Sequence, residues 1–229
     1  MRALSQTPYA AVLLEGPVTR GVSLGHGHVL VGGQVLSLTP PGALRMPNGI
    51  ECALPDLESG APVEIGHGRL ECDAGAVCVG PLWDPTPKPR FAVSTDPGLE
   101  SWPLTSLAGQ GPGLTPLGDD IAIGYLAARA LFGQDTAPDC ELVELLAKRT
   151  TSLSATLLRL AARGQLPEAA HRLLEDGDPE PLLAWGATSG SGLLTGLGLY
   201  GHGGQRVVRT LELTLPLRPP RLVRIEISA

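Results

Sequence analysis

Aromatic side chains supply only 3% of the 229 residues, lysine occurs only as Lys88 and Lys148, and asparagine only as Asn48. The first scarcity forces an aliphatic core. The other two are the bias expected of a GC-rich bacterial coding sequence. The four cysteines, Cys52, Cys72, Cys78 and Cys140, contain no CxxC spacing. That removes zinc-ribbon and dithiol-redox readings and leaves thiols expected to act as small buried hydrophobes. No arginine cluster offsets the formal charge of −6, from 17 Lys and Arg against 23 Asp and Glu, so a nucleic-acid partner is not expected. The opening residues hold only a short apolar stretch, Tyr9 to Leu14, and no run has the length of a membrane span or signal h-region. A cytoplasmic chain without membrane association is expected.

Abundant instead are hydrophobic residues, at 43%, with 30 glycines and 22 prolines, the composition of a packed globule whose path turns often. From Tyr9 to Gly80, short apolar runs (AAVLL, GVSL, HVLVGGQVLSL, APVEIG, GAVCVG) are cut at close intervals by Gly and Pro. This predicts an antiparallel sheet or small barrel, and no helix. His26 and His28 flank Gly27, and His67 precedes Gly68; all three are expected at water-facing hairpin turns rather than on a metal. The proline-rich stretch from Trp83 to Pro103 reads as a linker or wrapped loop.

Beyond it the hydrophobic period changes to that of helices. Asp119 to Phe132 stops at Gly133, Glu141 to Arg163 reads as one long amphipathic helix closing at Gly164, and shorter helices are expected over Pro167 to Glu175, Pro181 to Trp185 and Gly192 to Tyr200. The tail alternates again in VVRTLELTLPL and LVRIEIS. The fold class expected is α+β: an N-terminal antiparallel β sheet or small barrel completed by the C-terminal strands, with an inserted helical part. The corresponding divisions are 1–105, β-rich; 106–202, helical; and 203–229, strands returning to the N-terminal sheet.

Two loops can carry chemistry. GQGPGLTPLGDD places Gly109, Gly111, Gly113 and Gly118 just ahead of a helix. Glycines permit positive φ and close backbone approach, and a helix start offers unpaired N–H groups at the positive end of the dipole. Together they suit a phosphate or carboxylate. Neither the P-loop nor the dinucleotide fingerprint matches. Asp119 and Asp120 would repel an anion unless a divalent cation such as Mg²⁺ lies between, so they are candidates for metal binding or a general base. The alternative is that one caps the helix and the other complements its dipole. The second loop, GATSGSGLLTGLG from Gly186 to Gly198, offers Thr188, Ser189 and Ser191 before another helix start, either as caps or as donors to the same oxyanion.

The first loop resembles the signature GxGPGLTPSGDD of the DUF2877 family, and the resemblance continues through RTTSLSATLLRLAARG, Arg149 to Gly164, and GATSGSGLLTG, Gly186 to Gly196. It implies a subunit of the oxamate carbamoyltransferase kind from allantoin breakdown, acting on oxalurate, oxamate and carbamoyl phosphate. Carried over with it are Gly111, Pro112, Gly113, Thr115, Pro116, Gly118, Asp119 and Asp120 in the first loop, and Thr188, Ser189 and Gly190 in the second; Leu114 and Ser191 beside them are expected to bind the ligand as well. Asp119 and Asp120 are the implied catalytic pair and the others ligand-binding. Leu117, Ala187 and Gly192 depart from the pattern, where serine, histidine and aspartate are usual; if that histidine or aspartate handles protons, this chain either uses other groups or has lost the activity. The partners implied are a small carboxylate or phosphate and the other subunits of a carbamoyltransferase complex. The competing expectation is a non-catalytic binding or scaffold subunit of a metabolic complex.

Overall fold

Between Thr19 and Cys78 the chain meets a glycine wherever a turn requires a positive φ. Gly25 (78°), His26 (52°) and Gly27 (71°) turn β2 (Thr19–Gly25) into β3 (His28–Val31), and Gly32 and Gly33 (56° and 79°) turn β3 into β4 (Gln34–Thr39). A two-residue type I′ hairpin loop needs positive φ at both central positions, so His26, and likewise His67 at φ 51°, belong to exposed turns as expected, whereas His28 is a partly buried strand residue opening β3. His28 additionally hydrogen-bonds through Nδ1 to Ser37 Oγ at 3.0 Å. The computed structural model describes residues 1–95, 104–133, 140–200, 207–216 and 220–229. It divides the chain into two units, Met1–Pro85 and Thr86–Ala229.

In the first unit those strands join β1 (Ser5–Gln6), β5 (Gly49–Glu51), β6 (Pro62–Gly66), β7 (Arg69–Cys72) and β8 (Gly75–Cys78) in an eight-stranded sheet, order β1-β5-β4-β3-β2-β6-β7-β8. Every pairing is antiparallel except β4 with β5. The two ends of the sheet approach each other: Arg2 bridges Cys78, and the Ala3 N–H donates to the Cys78 carbonyl at 2.9 Å. The sheet is therefore curled, enclosing Leu36, Ile50, Ile65 and Leu70, each at most 1% exposed.

The run AAVLL is not a strand. Pro8–Glu15 is a helix, α1, because the Thr7 side chain accepts the Ala10 N–H at its start and Pro8, lacking a donor, fits the first turn. Ala10 and Leu14, four apart, are its buried stripe, while Val12 is 72% exposed. Nor do all the cysteines bury: Cys52 is inside, Cys72 is half-buried, and Cys78 and Cys140 are exposed.

The second unit is built on α3 (Leu117–Phe132), in which every residue from Leu117 to Ala128 except Tyr125 is buried. The expected long helix from Glu141 is two, α4 (Cys140–Ala147) and α5 (Ser152–Ala161), with α2 (Leu104–Leu107) preceding α3. The break follows from Thr151, whose hydroxyl accepts the Ser154 N–H and so starts a new helix. Arg159 ties α5 back to α4 through both carboxylate oxygens of Glu144, at 2.7 and 2.8 Å. Helices α6 (Glu168–Asp176), α7 (Glu180–Leu183) and α8 (Ser189–Leu199) complete the helical set.

The mixed α+β class holds, but the C-terminal strands do not complete the eight-stranded sheet. β10 (Val207–Leu215) and β11 (Arg221–Ser228) form a separate sheet with β9 (Ala92–Thr95), in the order β10-β11-β9. The proline-rich stretch conceals that short strand, whose Val93 pairs with Ile227. Val223, Ile225 and Ile227, all fully buried, give β11 one apolar face, and Gly198 of α8 packs against Thr95 of β9. Among the described residues no helix is long and apolar enough to cross a membrane.

Candidate functional site at two converging helix starts

The first loop closes on itself before α3 begins. Gly118 N–H donates to the Gln110 carbonyl at 3.0 Å, and the Gln110 N–H to the Leu107 carbonyl at 2.9 Å. Gly109 sits at φ 75° with its α-carbon against the chain of Arg149; an added Cβ would stand 2.4 Å from the Arg149 carbonyl oxygen, so glycine is required there twice over. Pro116 occupies the N-cap of α3 with φ −54° and ψ 142°, and no side chain caps the helix.

Helix α8 reaches the same place because glycines remove the side chains between it and α3. A Cβ on Gly196 would lie 2.0 Å from the Ile121 carbonyl oxygen and 2.9 Å from the α-carbon of Gly124. Farther toward the helix starts, one on Gly192 would lie 2.8 Å from the Asp120 Cβ. The contacts advance in the same direction along both helices, so α3 and α8 run parallel and their N-termini meet. Thr115 Oγ1 and Ser189 Oγ, one from each loop, are 2.9 Å apart. Thr188 stands at the N-cap of α8 without a side-chain cap bond. Its carbonyl accepts the Ser191 hydroxyl at 2.9 Å and the Gly192 N–H at 2.9 Å.

A third helix start holds the first loop in shape. Thr151 Oγ1 donates to the Leu114 carbonyl at 2.6 Å, with Ser154 Oγ at 3.5 Å from the same oxygen. Thr150 donates a short hydrogen bond to Asp119 Oδ2, and the Gly109 N–H donates to Asp119 Oδ1 at 2.7 Å. Thr150 and Thr151 were not among the expected site residues; the signal was the TTS run opening α5. Asp119 is thus no N-cap. It is a brace joining the loop to α5.

Residues 107–200 match the family model described as oxamate carbamoyltransferase subunit AllH. No curated protein and no solved structure gives a match. The AllH match covers less than half of the chain and spans both loops with α3 to α8. It supports the carbamoyltransferase-subunit part of the resemblance without carrying the DUF2877 designation.

Within the AllH-matched segment Asp120 differs sharply from its neighbour. It is 1% exposed, and neither carboxylate oxygen has a hydrogen-bond partner among the described residues. Burial away from water pushes its carboxyl up to about 8; the nearby Ser189 hydroxyl opposes the shift and the Asp119 charge adds to it. The Ser189 hydroxyl is engaged with Thr115 and makes no hydrogen bond to either Asp120 oxygen. Both Asp119 oxygens are already taken, and no group of three or more His, Cys, Asp or Glu able to hold a metal exists among the described residues. Of the expected residues, Leu114, Thr115, Gly118, Asp119, Asp120 and Ser189 are drawn together, Gly190 packs against the Leu182 carbonyl, and Gly111 and Gly113 lie exposed on the loop.

Proposed function

We propose that this chain is a subunit of a carbamoyltransferase-type complex and that its own contribution is a small-oxyanion site where α3 and α8 begin. The observation that carries the reading is Asp120, buried and without a hydrogen-bond partner between two helix N-termini that lack side-chain caps. Parallel helix starts add their positive ends at one point, which favours a phosphate or carboxylate. An ionised aspartate there would oppose such a ligand. A carboxyl that holds its proton at neutral pH does the reverse, because it removes the repulsion and supplies an O–H donor. Carbamoyl phosphate and small carboxylates of the oxamate class fit this chemistry and agree with the AllH match. Asp119, Thr150 and Thr151 are positioning residues that keep the loop formed before the ligand arrives.

Oxamate tests the reading well, because its carboxylate does not titrate near neutrality. Isothermal titration calorimetry on the full chain should show binding at pH 6.5 that weakens about tenfold per pH unit above 8, as the Asp120 proton is lost. Asp120→Asn, which keeps a donor but cannot ionise, should bind with no such dependence. Absence of heat with oxamate, phosphate and carbamoyl phosphate alike would return the chain to the role of a scaffold subunit.

A further inference from the structure

We infer that Asp120 reads the primary amide end of the ligand through a pair of hydrogen bonds, so that the site selects compounds in which H₂N–C(=O)– adjoins an anionic group. The assignment rests on the oxyanion reading above and names the part of the ligand that lies innermost. Both Asp120 oxygens are buried and without a hydrogen-bond partner among the described residues. Orphaned polar atoms of this kind cost stability in the free chain, and here they brace nothing. Asp119, one residue earlier, spends both of its oxygens on Gly109 and Thr150. The aspartate without a structural task is the one turned toward α8, where only a glycine admits it: a Cβ on Gly192 would stand 2.8 Å from the Asp120 Cβ.

The helices packed against α3 bring no cation to this carboxyl. α2 and α8 carry no charged residue, Arg159 of α5 is paired with Glu144, and Arg129 lies in the last turn of α3, at the far end of the helix. The neighbouring charge, on Asp119, has the same sign. An ionised Asp120 would be buried, unpaired and unsolvated at once, so the carboxyl keeps its proton, in line with its rise to about 8.

A protonated carboxyl presents an O–H donor and a C=O acceptor side by side in one plane. A primary amide is its complement: the carbamoyl oxygen accepts the Asp120 O–H, while one carbamoyl N–H donates to the other Asp120 oxygen. A phosphate or a plain carboxylate offers acceptors alone and leaves that second oxygen unsatisfied. Oxamate and carbamoyl phosphate share the H₂N–C(=O)– end and differ in the anionic group beside it, so one orientation serves both, with the amide innermost and the anion at the helix N–H groups. Thr115 and Ser189 stand between Asp120 and solvent. Both are half-buried, their hydroxyls meet at 2.9 Å, and Ser189 lies beside the Asp120 carboxyl. Parting that contact opens the way to Asp120 and frees two hydroxyls, one of which accepts the second carbamoyl N–H.

Pyruvate is the deciding comparison, because it replaces the NH₂ of oxamate with CH₃ and keeps the carboxylate and the carbonyl oxygen. Calorimetry on the full chain at pH 6.5 should give oxamate a Kd about 10- to 100-fold below that of pyruvate, the range for leaving one buried acceptor unpaired. Asp120→Asn, whose own amide offers the same donor and acceptor, should keep that preference. Asp120→Leu, similar in volume and without polar atoms, should bind the two compounds equally, with thermal unfolding checking that the variant is folded. Equal affinity for oxamate and pyruvate in the unvaried chain overturns the amide assignment and leaves the oxyanion site standing, and this outcome needs no variant to fold. Absence of binding by either compound overturns both. A preference for oxamate that survives in folded Asp120→Leu chain puts amide recognition on another group and equally overturns the assignment.

Discussion

Replacing Asp120 by asparagine should remove most of the pH dependence of stability in the second unit between pH 5 and 8. Below the ordinary value of 3.8 the carboxyl is protonated in folded and unfolded chains alike. Between 3.8 and about 8 the unfolded chain has released the proton and the folded chain still holds it. The folded state therefore binds more protons, and stability falls as pH rises, by at most about 1.4 kcal/mol per unit. From pH 5 to pH 8 the accumulated loss is about 3 to 4 kcal/mol, an upper figure because local relaxation around the charge reduces it. Asparagine matches the shape of the protonated acid and has nothing to titrate. Urea unfolding followed through Trp185, which lies between α7 and α8, in a background with Trp83 and Trp102 changed to phenylalanine, reports on the second unit. Equal slopes of stability against pH in the two proteins would refute the retained proton and, with it, the account of how this site tolerates an anion.

Thr151→Val should lose both the α5 cap and the clamp on the Leu114 carbonyl, costing about 1 to 3 kcal/mol by thermal unfolding, while Thr151→Ser keeps both. If valine and serine prove equally stable, the clamp is not a structural element. Gly196→Ala drives a methyl to within 2.0 Å of the Ile121 carbonyl and should separate α3 from α8, with a loss of at least about 2 kcal/mol and weaker oxamate binding. Calorimetry and urea unfolding on the same protein check both effects, and unchanged binding would show that the helix spacing does not govern the site.

The parts of this molecule that announce themselves are those in which one local rule decides the outcome. Gly25, Gly27, Gly32 and Gly33 mark hairpins because few other residues tolerate their φ, and the apolar run after Asp119 marks α3 because it is buried nearly all round. The two glycine loops were legible as a pair, and the structure places Thr115 and Ser189 in contact. Other features depended on competition between rules. In α1 the Thr7 and Pro8 cap outweighs a Val-Leu run that suits a strand. At Thr151 a cap interrupts a helical period that continues on both sides of it. The partner of β11 is a four-residue strand surrounded by prolines, which no local pattern reveals. The different roles of Asp119 and Asp120 depend on Thr150, Gly109 and Gly192, all distant in sequence from at least one of the pair.

The contact between Gly124 and Gly196 limits how such a site can change. Main chain rests on main chain there, and a Cβ on Gly196 would stand only 2.9 Å from the Gly124 α-carbon, closer than a methyl group can pack. Nothing at the crossing can be repacked, because no side chain is present to exchange for a larger or smaller one. The gap between the two helix starts is consequently a fixed dimension of the scaffold. A descendant of this chain adapted to a bulkier ligand would have to alter the loops at 109–116 and 186–188, while the helices behind them kept their spacing.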